Sequence, residues 1–350
     1  MKNYTASIMK GIAIISVVLG HCTTNNNIES FVNQYHLAVF FFVSVFFFKE
    51  KYLDAPRNFF IKKLTRLYIP FVIFAITFLI FHNILYDLHI HSNSINCEYF
   101  FKEIFHITIR MTSHDPLMGA MWFCSAMLIT SCISWCGLKL ASIQKGKLSL
   151  ITKQIIIFTI LVLFASACLY LWKLKSPYCL WQYMITSSIF FAGYLSAKIN
   201  KYPLNKGESI SIFIILIFIL IILTKYKVYG RLQPANINNE NPLIILIIAT
   251  MGSVSIYLLA LLIQKNKASK WIAVCGDYSF SIMLLHFLAF KIINLFQCIF
   301  YHYPFNYIAN HPIINYSNPF WGIGYLISGC FIPIVITYCY SKIKMKVSST

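Results

Sequence analysis

The chain has 350 residues, a formal net charge of +19, 59% hydrophobic residues and only 11% charged ones. A soluble domain is about one-quarter charged, so this composition cannot cover a water-facing surface and excludes an ordinary soluble enzyme. Apolar runs long enough to cross a bilayer recur along the whole length, which defines a polytopic membrane protein.

Taken in chain order, the apolar pattern predicts ten transmembrane helices. They lie at 7–22, 32–48, 67–86, 117–138, 154–172, 181–199, 208–226, 242–264, 276–297 and 319–341. The segments on the side shared by the N-terminus, starting with Lys2 and Lys10, carry 21 of the 29 Lys and Arg. Positive charge marks the cytoplasmic face, so both termini are expected in the cytoplasm. The basicity is therefore a topology signal and carries no indication of nucleic acid. No cleavable signal peptide is expected, because the first span runs into Gly20-His21-Cys22 without a small-residue cleavage site. The short connections leave no room for an appended soluble domain, and one transmembrane domain over 1–350 is expected.

The first span opens with "KGIAIISVVLGH". Lys10 and His21, eleven residues apart, fall on one helix face about 16 Å apart along the axis. His21 is thereby placed more than halfway across the membrane, where an imidazole is costly unless it is hydrogen-bonded or faces a cavity; a histidine near a helix end snorkelling outward is the alternative. The second span carries His36 near its outer end, and the antiparallel pairing of spans one and two brings the two histidines to similar depth. Two imidazoles can supply a base and an orienting partner, although a satisfied core histidine is the alternative for His36. His286, about ten residues into the ninth span, has comparable depth, and its facing is open at this stage.

Elsewhere the sequence offers less. The polar stretch 83–116 holds His89, His91, His106 and His114 and reads as a solvated loop, since its histidines lack zinc-type spacing. The cysteines are scattered without a C-x-x-C pair, and no metal is expected. All ten Asp and Glu fall in loops or at span ends, which argues against an ion-driven transporter. The Phe40–Phe42 and Phe46–Phe48 runs read as packed or lipid-facing surface.

Five segments together resemble the membrane-bound acyltransferase-3 family. Lys10-x10-His21 is similar to its Arg/Lys-x10-His signature, and "YHLAVFFFVSVFF" (35–47) to its second-span His-x3-Phe-Phe-x2-Ser-Gly motif. "KKLTRLYIP" (62–70), "MWFCSAML" (121–128) and "CGDYSFSIMLLH" (275–286) follow in the family's order. Lys stands at position 10 where Arg is more usual, Val45 follows Ser44 in place of Gly, and Lys62 precedes Arg66 where the family often has two Arg.

The resemblance implies transfer of an acyl group, usually acetyl from cytoplasmic acyl-CoA, to a hydroxyl of a cell-surface or lipid-linked saccharide. It implies His21 as general base or acyl relay, with His36 beside it. Lys10, Lys62 and Arg66 would meet the donor's phosphates, and Ser44, Trp122 and His286 would serve substrate binding. Arg66 reads equally as a positive-inside anchor, and Trp122 as an interfacial aromatic. No permanently bound cofactor is expected. A glycan exporter without covalent chemistry, or a structural partner of a polysaccharide machine, are the competing readings.

Overall fold

A computed structural model describes residues 3–143, 148–170, 180–199, 205–228, 232 and 241–347. The described residues are helical and contain no strand. The expected end of the fifth span at 171–172 and the basic loops at 144–147 and 200–204 lie outside them. Among the described residues fourteen α-helices occur in this order: α1 Tyr4–Cys22, α2 Asn26–Asn33, α3 His36–Val43, α4 Pro56–Lys63, α5 Ile69–Asp87, α6 Cys97–Phe105 and α7 Trp122–Ile143. α8 Leu150–Tyr170, α9 Leu180–Ile199, α10 Lys206–Lys225, α11 Pro242–Ile263, α12 Ser269–Asp277, α13 Ser279–Tyr301 and α14 Pro319–Val347 complete the chain.

Among the described residues nine helices or helical runs are long and apolar enough to span a membrane, against ten expected. The difference is α9. It forms as a 20-residue helix where the sixth span, 181–199, is expected, but Gln182, Thr186, Ser187 and Ser188 make it more polar, and all four are buried. Their hydroxyls bond within the protein: Thr186 Oγ1 lies 2.5 Å from Thr130 Oγ1, and Ser187 Oγ donates to the Tyr183 carbonyl at 2.7 Å. Small hydroxyl residues are what membrane helices use to pack against other helices. The outer helices show the reverse pattern. Ile214, Ile215 and Phe218 of α10 and Ile160 and Leu163 of α8 are exposed, a surface only lipid can cover.

Local chemistry sets several boundaries. Asn205 and Glu208 form a reciprocal capping box on α10, and Asn241 caps α11 ahead of Pro242 at its first turn. Residues 56–87 run continuously, but Pro70 has no N–H for the 66 carbonyl, and the backbone answers with a widened π-type turn over 64–68.

The chain falls into two compact units. The first is drawn from 1–13, 30–63 and 126–276, the second from 14–29, 64–125 and 277–350. Within the first unit, close helix approach depends on glycines. A Cβ at Gly11 would collide with the Ile272 backbone, one at Gly276 with the Ser7 backbone, and one at Gly193 with the Phe42 carbonyl. The second-span motif therefore keeps a tight contact although Val45 replaces its glycine: the missing Cβ is on α9 instead. Phe158 of α8 and Phe191 of α9 stack with centroids 4.2 Å apart in the same unit. In the second unit a Cβ at Gly329 of α14 would come within 2.6 Å of the Phe290 ring and 2.8 Å of Val18. That close seat lets α14 press both α1 and α13 together.

Candidate functional site

In the second unit the end of α1 is pinned by Tyr316, whose hydroxyl donates to the Cys22 carbonyl at 2.6 Å. One residue earlier, the His21 ring stacks on His286 of α13, with centroids 5.4 Å apart and planes 23° apart. His286 is fully buried. Its Nδ1 lies 2.9 Å from the Ile282 carbonyl and 3.0 Å from the Met283 carbonyl. Both are acceptors, so Nδ1 carries the hydrogen and Nε2 presents a lone pair. That Nε2 has no hydrogen-bond partner among the described residues. Phe287 packs against both rings, 4.9 Å from His21 and 4.1 Å from His286, and reaches His311 at 4.6 Å.

His21 is only half-buried because its open side forms part of the wall of a cavity of about 810 Å³. Pockets of roughly 300–1,000 Å³ are the size that takes a small ligand. Tyr303, Tyr307, Asn310 and His311 lie on the same wall, with Thr23 and Thr24. Tyr303 and Tyr307 stack on one another at 5.3 Å. The loop that carries Asn310 and His311 is held from α13. Lys291, buried, donates from Nζ to the Ala309 and Asn310 carbonyls at 3.0 and 2.8 Å. Asn294 Nδ2 donates to the Ile308 and Asn310 carbonyls at 3.0 and 3.1 Å. Burial, followed by the Lys291 charge, pushes His311 down to about 4, with Asp115 opposing. His311 is thus a neutral imidazole at neutral pH.

The other expected residues divide between the units. In the first, Lys10 Nζ lies 5.5 Å from the Phe47 ring centroid, and Lys62 Nζ donates to the Tyr52 hydroxyl at 2.7 Å. Both cations therefore lie against the segment 44–52. Lys62 holds the Tyr52 phenol below its usual value. Ser44 spends its hydroxyl locally, donating to the Phe41 carbonyl at 2.7 Å. His36 is buried at the start of α3, with Nδ1 2.6 Å from the Val32 carbonyl, the geometry of a satisfied core histidine. In the second unit Arg66 is exposed within the widened turn and Trp122 is half-buried at the start of α7.

His286, left without a facing by the sequence, is the imidazole brought against His21. Sequence reasoning passed over His311 and the two tyrosines, which sit in an irregular segment where no periodicity applies. It also read His91 as solvated; the structure buries His91, because it folds back onto His82 and Asp115.

These features define a multi-pass helical membrane protein whose second unit holds, on the wall of a polar cavity, one imidazole stacked on a second that is fully buried. A family model described as an acyltransferase domain matches residues 3–338, nearly the whole chain. The chain belongs to the acyltransferase-3 family and is a membrane acyltransferase, working between an acyl donor and an acceptor. No curated protein and no solved structure matches it.

Proposed function

We propose that this acyltransferase moves an acyl group, acetyl in the first instance, from cytoplasmic acyl-CoA to a hydroxyl of a cell-surface or lipid-linked saccharide of the O-antigen kind, at the bacterial inner membrane. The observation that carries this reading is His21 on the cavity wall, stacked on a buried imidazole whose hydrogen is committed to two backbone carbonyls. His21 takes the proton of the acceptor hydroxyl, or relays the acyl group. His286 holds its plane and keeps the pair free of a second charge. A positioned general base contributes about 10²–10⁴-fold in rate.

The cavity suits a saccharide. Tyrosine rings offer flat apolar faces to the C–H side of a sugar, while Asn310 and the Thr23 and Thr24 hydroxyls match its hydroxyl groups. At the donor end, Lys10 and Lys62 are cations suited to CoA phosphates, although Lys binds them as a point charge without the bidentate clamp of Arg. Arg66, exposed in the second unit, has the bidentate fork that Lys lacks. Lys10 precedes His21 by eleven residues on one helix, so α1 itself is the track from donor phosphate to acceptor hydroxyl.

Reconstitution tests this directly. The purified chain in proteoliposomes, given acetyl-CoA and the lipid-linked glycan of its host, is expected to release free CoA thiol in step with acylated glycan. His21→Ala should lower that rate by about two orders of magnitude or more. Movement of unmodified glycan across the bilayer with no thiol released would make the protein an exporter and sink the reading.

A further inference from the structure

We propose that His82, His91 and Asp115 form a site for one first-row divalent metal ion of the zinc type, apart from the acyl-transfer cavity. The three residues are buried at 8%, 5% and 9% exposure. His82 lies near the end of α5, His91 in the loop that follows, and Asp115 caps the short turn 116–118 ahead of α7. All three belong to the second unit. Asp115 Oδ2 is 3.2 Å from His82 Nδ1 and 3.3 Å from His91 Nε2, and the three candidate ligand atoms lie within 4.8 Å of one another. Ligands about 2.0–2.1 Å from a tetrahedral zinc are themselves about 3.3 Å apart.

The hydrogen count points to a cation. His82 Nε2 lies 3.0 Å from the Asn93 carbonyl, which can only accept, so that nitrogen carries the hydrogen. In the neutral ring Nδ1 is then a lone pair, and it faces a carboxylate oxygen, another acceptor. His91 Nε2 is buried beside the same oxygen without the geometry of a hydrogen bond. Protonating both rings would set two positive charges face to face, because the rings stack at 4.1 Å with planes 10° apart. One divalent ion takes all three lone pairs at once.

The surroundings fit ligation as well. A metal-bound histidine usually donates its other N–H to a carbonyl, as His82 does to Asn93, and the carboxylate is itself oriented, here by the Leu117 N–H on Asp115 Oδ1 at 2.8 Å. Two imidazoles and one carboxylate select zinc, cobalt or nickel over calcium and magnesium, which require a shell of oxygens. The neighbouring His114–Glu103 pair makes an ordinary hydrogen bond at 2.8 Å and calls for no metal. Bound ion would clasp the loop after α5 to the entry of α7.

The test uses the full chain, purified in detergent by a tag without histidines, stripped with chelator and titrated with Co²⁺ and then Zn²⁺. The expected result is one equivalent of Co²⁺ with the visible absorption of a tetrahedral site, displaced by Zn²⁺, and a higher melting midpoint with Zn²⁺ than with Mg²⁺. His91→Gln and Asp115→Asn should each weaken binding by about tenfold or more. Asp115→Asn keeps an oxygen for the Leu117 cap, and the metal-free melting midpoint of each variant reports whether it is folded. His89→Ala and His114→Ala should bind as wild type. Sub-stoichiometric binding by the wild type overturns the proposal and leaves a proton-sharing ion pair. So does wild-type affinity in a folded His91→Gln, or loss of binding in His114→Ala.

Discussion

An imidazole inside an apolar span must have its polar atoms accounted for, and His21, His286 and His36 meet that demand differently. His36 satisfies it with the Val32 carbonyl, four residues back. His286 does so on one side only and gives its ring face to His21. On this account His286 is a positioning residue: His286→Ala is expected to lower kcat by about tenfold or more while KM for acyl-CoA stays unchanged. A raised KM for acyl-CoA would instead indicate damaged donor binding. His36→Ala should cost membrane abundance more than it costs the rate per folded molecule, measured by thiol release normalised to protein. Lys291 presents a sharper case. Replacing it with Met strips two buried carbonyls of a charged donor, each such bond being worth about 1.5–3 kcal/mol. Lys291→Met should therefore lower the melting midpoint and raise KM for the glycan, since the loop it holds forms the cavity wall.

His311 carries the pH dependence. Its folded value of about 4 lies below the ordinary histidine value, through burial and the nearby Lys291 charge, with His91 acting in the same sense and Asp115 opposing. The unfolded chain then takes up its proton first, so this contribution to stability is complete above about pH 6.5 and is lost as pH falls toward 4. His311→Gln should flatten that part of the melting-midpoint profile. At this scale Lys10 and His21 were legible because helical spacing alone puts them on one face. The pairing of His21 with His286 was not, because it joins two ends of the chain that no local pattern connects. His91 was misread for a similar reason: loop composition does not say which side chain turns inward.

Elements were read more completely. Runs of Ile, Leu and Phe mark the spans, and the structure adds the caps at Asn205 and Asn241 that begin α10 and α11. What escaped the pattern was the role of single glycines, since closeness to a second helix leaves no trace on the first. Gly276 in the "CGDYS" segment is one of these: its hydrogen faces the Ser7 backbone, and no side chain fits. Gly276→Val is expected to reduce the amount of folded protein in the membrane, followed by detergent-resistant gel-filtration signal. Gly329→Leu should act in the second unit, pushing α14 away from Val18 and Phe290 and reducing activity along with stability. A wild-type melting midpoint in either variant would contradict the close approach. The second span also differs in detail from one continuous helix, breaking into α2 and α3 around Gln34 and Tyr35.

For the whole molecule, the exposed Ile, Leu and Phe of α5, α8, α10 and α14 require a lipid surround. The distribution of Lys and Arg is the basis for expecting both termini inside. Cys97, exposed on the segment after α5, is expected outside the membrane and should react with an impermeant maleimide in intact spheroplasts. Labelling only after lysis would invert the topology and place the His21 cavity on the donor side. Membership of the acyltransferase-3 family gives the reaction class, and the proposed function sets the acceptor hydroxyl against His21 on the cavity wall.

The most direct test of that claim is mass spectrometry of surface glycan from cells carrying the wild-type protein, the His21→Ala variant at equal membrane abundance, or neither. One added acyl mass per repeat is expected with the wild type and none with the variant or the empty strain. Acylated glycan persisting in the His21→Ala cells would contradict it.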